Sequence, residues 1–160
     1  MSSMSLGPES SSYTVGPTLP AEITKPPFRP SVAGRIGFFF GPIAGAFVAS
    51  VNLRRMGQPD KASRVRSYTL VIAIVAAIVL SLLPSGLAHI VGLGMEAASL
   101  AIFPRIQDAS FAEWQRINNG VEPSSGWPAI GWGFLGLILF VGIIFLVAMA
   151  MVMMNIPIPD

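Results

Sequence analysis

Four long apolar stretches free of Lys and Arg run along the chain, separated by segments rich in Pro, Gly or basic residues. The first lies between Arg35 and Arg54, from Ile36 to Leu53. Its 18 residues would make a helix of ~27 Å, close to the lower limit for a bilayer crossing. Gly41-Pro42 sits inside it and predicts a kink. The second covers Ser67 to Leu83, rich in Val, Ile, Leu and Ala, and is ended by Pro84-Ser85-Gly86. Its unbroken length without polar alternation favours a helix in lipid over a strand. The third, Leu87 to Phe103, is less apolar and contains His89 and Glu96. The fourth, Pro128 to Met153, is the clearest, because no charge occurs from Pro123 to Pro159. This pattern predicts an all-α, polytopic transmembrane helical bundle with four spans, at about 36–53, 67–83, 87–103 and 128–153. The alternative is three spans, with 87–103 lying at the membrane interface.

The polar segments divide the chain into a tail, residues 1–33, and a helical domain, residues 34–160. The tail carries six prolines (Pro8, Pro17, Pro20, Pro26, Pro27 and Pro30), many serines and no hydrophobic periodicity. It has no apolar core or cleavage site of a signal peptide. Alone it should be extended or disordered, and a partner surface would be needed to dock it. A basic connector, Asn52–Arg66, follows the first stretch, and its Gly57 and Pro59 are helix stop signals. Between the third and fourth stretches, Ser110-Phe-Ala-Glu113 reads as a capping box. Phe111, Trp114 and Ile117 then recur at helical spacing opposite Glu113 and Arg116, which predicts an amphipathic surface helix at about 110–117.

Composition narrows the class. Of 160 residues, 52% are hydrophobic and 11% charged, with a mean hydropathy of +0.66. Soluble domains are roughly one quarter charged, so the chain reads as an integral membrane protein with lipid as its immediate surroundings. It has no cysteine, and His89 is its only histidine. Disulfides, thiolate chemistry and Cys- or His-cluster metal sites within this chain are thereby excluded. The net charge of +2 and pI near 9.5 do not point to nucleic acid, because the basic residues flank apolar spans, where topology accounts for them. With four crossings, the connectors 54–66 and 105–127 share one side. They carry seven basic residues (Arg54, Arg55, Lys61, Arg64, Arg66, Arg105 and Arg116), against Lys25, Arg29 and Arg35 opposite. That count puts the connectors in the cytoplasm and both termini on the other side.

Two constellations carry the chemistry. Gly37, Gly41, Gly45 and Ala49 recur every four residues, a doubled GxxxG that gives a flat face for helix packing, on this chain or another. His89, Gly92, Glu96 and Ser99 share one face of the third stretch. A carboxylate near mid-bilayer must be protonated, paired or hydrated, which suggests proton or cation handling at Glu96. His89 is the one candidate axial ligand for haem or a chlorophyll-type pigment; structural hydrogen bonding is the plain alternative for the whole face. Gly131-Trp-Gly-Phe-Leu-Gly136 matches a dinucleotide fingerprint literally but opens a membrane helix, where glycines serve packing. Met149, Met151, Met153 and Met154 read as apolar filler. With no nucleotide-binding loop, nucleophile elbow or paired carboxylates, no catalytic residue is expected.

Phe38-Phe-Phe-Gly-Pro-Ile-Ala-Gly45, then Asn52-Leu-Arg-Arg-Met-Gly57 and Lys61, resembles an uncharacterised group of small bacterial four-helix membrane proteins. These open with an FFGPLAG-like helix and an N-x-R-R-L-G connector. Gln115-Arg-Ile-Asn-Asn-Gly120 and Ser125-Gly-Trp127 extend the resemblance over roughly residues 36–150. It implies a bacterial cytoplasmic membrane and adds no activity. The expectation from sequence is an accessory subunit of a larger membrane complex, photosynthetic or respiratory, packed through its small-residue faces and extended tail, with no cofactor of its own. The alternative is a small ion- or proton-coupled transporter, channel or sensor using Glu96 and His89.

Overall fold

The computed structural model describes residues 25–156, which form five helices: α1 Pro30–Phe40, α2 Pro42–Arg55, α3 Pro59–Ser81, α4 Ser85–Ile117 and α5 Trp127–Met153. Most of the tail, with its expected docking on a partner, lies outside the described residues. α3, α4 and α5 are each long and apolar enough to cross a membrane.

Residues 36–53 do not form one span. Gly41 adopts φ 89°, ψ 161°, a conformation open to glycine and strained for any other residue. Pro42 then starts α2 at a position where its missing N–H costs nothing. The chain reverses there, so that α2 folds back along α1. Phe28, before α1, hydrogen-bonds Asn52 near the end of α2, while Gly37 and Gly45 meet near the turn. At 11 and 14 residues, α1 and α2 are ~16 and ~21 Å long, each about half the depth of a bilayer. Hydropathy had counted the length of this stretch, and the reversal was read as a kink.

α2 ends in a Schellman motif: Gly57, at φ 75°, donates to the Arg54 carbonyl and Gln58 to that of Leu53. α3 therefore begins at Pro59, inside the expected connector. The third stretch and the expected surface helix also prove to be one element, α4. Pro104 lies inside it, leaving the Leu100 carbonyl without its backbone donor, and Gly34 of α1 packs against that exposed turn. Ser110 is consequently not a cap. It sits mid-helix, accepting from Lys61 Nζ (3.1 Å) and donating to Gln58 Oε1 (2.9 Å).

The core surrounds the hairpin. Phe28, Ala33, Ile36, Ala44, Ala46, Val48, Ala49, Phe103 and Ala129 form one buried cluster. α1 packs on α4, and α2 on α3 and α5. The three long helices leave most of their apolar side chains exposed, as suits lipid contact. The first turns of α1, α3 and α5 and the last turns of α2 and α4 gather at one end, tied by Phe28–Asn52, Lys61–Ser110 and Ser124–Pro27 bonds. All ten Lys and Arg of the chain lie in the half of the bundle at that end. Lys25, Arg29 and Arg35, expected opposite the connectors, share it with them because the chain reverses within 36–53.

Candidate functional site

One face of α4 organises the molecule: His89, Gly92, Glu96, Ser99, Phe103, Gln107 and Ser110 follow each other at three- and four-residue steps. Its C-terminal half grips the hairpin. A Cβ added to Gly45 would lie 2.5 Å from Phe103 Cε2 and 2.8 Å from Gly37 Cα, and one on Gly37 would lie 2.9 Å from Ser99 Cβ. The Phe103 ring thus fits only because both neighbouring residues are glycine. Of the expected packing face, Gly37 and Gly45 serve this internal contact, Gly41 makes the turn, and Ala49 is buried in the core. On α5, Gly136 abuts Ala44 with no room for a side chain, and Gly133 packs on Phe40 and Ile36. Gly131 meets nothing.

Next to the glycines an amide latch closes the base of the hairpin. The Phe28 N–H donates to Asn52 Oδ1 (2.6 Å), and Asn52 Nδ2 donates to the Phe28 carbonyl (2.8 Å) and to Gln107 Oε1 (2.7 Å). Gln107 Nε2 donates to the Phe103 carbonyl (2.8 Å). Both amides are fully buried. Arg55 stacks 4.3 Å over the Phe28 ring and donates to the Pro26 carbonyl (3.0 Å). Sequence reasoning gave Asn52 and Gln107 no role. The available signal was spacing, since Gln107 continues the register of His89, Glu96 and Ser99.

The N-terminal half of the same face is open. Beyond the hairpin tip, α3, α4 and α5 line an open cavity of about 270 Å³. Glu96 lines it, with Pro42 from the tip, Ala77 and Ser81 from α3, Gly92 from α4 and Phe140 from α5. Glu96 is half-buried and has no hydrogen-bond or ion-pair partner among the described residues. Ser81 is turned to its own helix, donating to the Ala77 carbonyl (2.7 Å). The expected polar group of His89, Glu96 and Ser99 is divided. Ser99 is buried under Gly37 and donates to the Met95 carbonyl (3.2 Å), and His89 is exposed two turns away, outside the cavity lining. Among the described residues no group of three or more acidic or His side chains is placed to hold a metal ion. Comparison of the chain with protein-family models, curated proteins and solved structures finds no match.

Proposed function

We propose that the protein handles protons or small cations at Glu96, on a scaffold of three crossings and one re-entrant hairpin. The observation that carries this reading is the position of Glu96: an unpartnered carboxyl in a cavity at the hairpin tip. Non-helical backbone such as Gly41-Pro42 is tolerated at membrane depth where protein buries it or a wet cavity meets it. Ionisable groups at that depth mark proton and ion paths. α1 and α2 enter and leave from the basic end, which faces the cytoplasm of a bacterial inner membrane by the bias of basic residues, ten against none. The hairpin then seals the cytoplasmic half, and Glu96 is reached from the opposite side. Purified protein in liposomes should carry a pH-driven proton or cation flux that Glu96→Gln abolishes; wild-type vesicles without flux would refute the reading.

A second reading, the accessory subunit, is favoured by the apolar faces that the three long helices leave exposed, on which a partner helix would pack. It no longer rests on the glycine face, which the hairpin uses internally. Stoichiometric companions after gentle extraction support it, and a pigment or haem band lost in His89→Ala would identify a ligand role for that side chain.

A further inference from the structure

A second cavity, separate from that of Glu96, opens at the basic end between α2, the start of α3 and the start of α5. It measures about 630 Å³, within the usual range for small-molecule sites. Lys25, Arg54 and Arg66 line it together with Phe47, Ser50 and Trp132, while Arg55 at its edge is held by Phe28 and Pro26. Among the described residues no acidic side chain lines it, and Lys25, Arg54 and Arg66 have no ion pair. Converging cations at the edge of a low-dielectric layer repel one another unless an anion sits between them.

The apolar part of its wall, Phe47 and Trp132, continues toward the membrane interior. Phe47 and Arg66 also line an adjoining cavity of about 170 Å³ whose other walls include Ile43, Leu70 and Leu139. Arg66 lies seven residues into α3, or ~10 Å from its start, with the apolar run beginning at the next residue. Cationic groups are thus stacked above apolar ones along the bundle axis, with Trp132 at the level aromatic side chains occupy in headgroup regions. That vertical order matches one class of ligand, a phosphate head on a hydrocarbon chain. A soluble anion would use the mouth and leave the groove unfilled.

We propose that this cavity binds an anionic glycerophospholipid of the adjacent leaflet. Its phosphate lies among Lys25, Arg54 and Arg66, and an acyl chain runs between α2, α3 and α5. Basic pockets between membrane helices recognise anionic headgroups in this way. The test is native mass spectrometry of the full chain in mild detergent, titrated with phosphatidylglycerol, phosphatidylcholine or inorganic phosphate. The expected result is retention of one phosphatidylglycerol with a preference on the order of tenfold or more over phosphatidylcholine. Arg54→Gln with Arg66→Gln should erase that preference, and exposed Arg64→Gln should keep it. Equal retention of the two lipids, or an undiminished preference in the double variant, would overturn the proposal. So would inorganic phosphate competing as well as the lipid. Should the double variant fail to fold, Lys25→Gln at the mouth gives the same discrimination with a smaller loss.

Discussion

The two halves of this bundle solve opposite problems. In the basic half, α1 and α2 fill the space between the long helices, Phe103 sits between two glycines, and both buried amides are satisfied. In the other half, beyond Pro42, the same helices separate around a cavity that holds an unpartnered carboxyl. A chain with few polar residues has placed nearly all of its tertiary contacts where the backbone reverses. An interrupted helix at membrane depth exposes N–H and C=O groups, and close packing is what makes it tolerable. The far half is free of that requirement, and so can keep a cavity.

The largest effect should come from adding one methyl group in the packed half. Gly45→Ala or Gly136→Ala forces α2 away from Phe103 or from α5, and should cost at least ~2–3 kcal/mol in detergent unfolding experiments. Asn52→Ala comes next. It strands the Phe28 N–H and the Gln107 amide in a dry interior, at a cost of about 2 kcal/mol, read as a lower midpoint in the same assay. The smallest effects belong to the open half. Gly92→Ala meets nothing within 4 Å, and Glu96→Gln breaks no hydrogen bond, so both should stay within ~0.5 kcal/mol of wild type. A Glu96→Gln protein that keeps this stability and loses flux separates function from folding; a stability loss as large as that of Gly45→Ala would erase the contrast between the halves.

What the sequence revealed follows the same division. α3 and α5 were legible because an apolar run between charged or turn-forming residues needs no tertiary information. Gly37 and Gly45 meet closely while Gly41 makes the turn, and the four-residue pattern is identical whether the partner is another chain, another helix or the same stretch folded back on itself. Gly41-Pro42 was visible as a disruption; its angle depends on φ at Gly41 and on what α4 offers to both arms. Pro104 misled in the other direction, since a proline that usually ends a helix is kept here inside α4, where Gly34 packs against the freed turn. Glu96 stood out by charge. Asn52 and Gln107 did not, because an uncharged amide barely changes hydropathy, and their roles come from a contact 55 residues apart in the chain.

The re-entrant hairpin is the central claim, and the absence of cysteine from the chain permits a direct test. Single Ser31→Cys and Ser63→Cys variants, at exposed positions in the first turns of α1 and α3, would be treated with a membrane-impermeant maleimide in right-side-out and inverted vesicles. Both cysteines should react from the same, cytoplasmic side, with Asn155→Cys reacting from the other. Labelling of Ser31→Cys and Ser63→Cys from opposite sides would mean that residues 36–53 cross the membrane, and would contradict the hairpin.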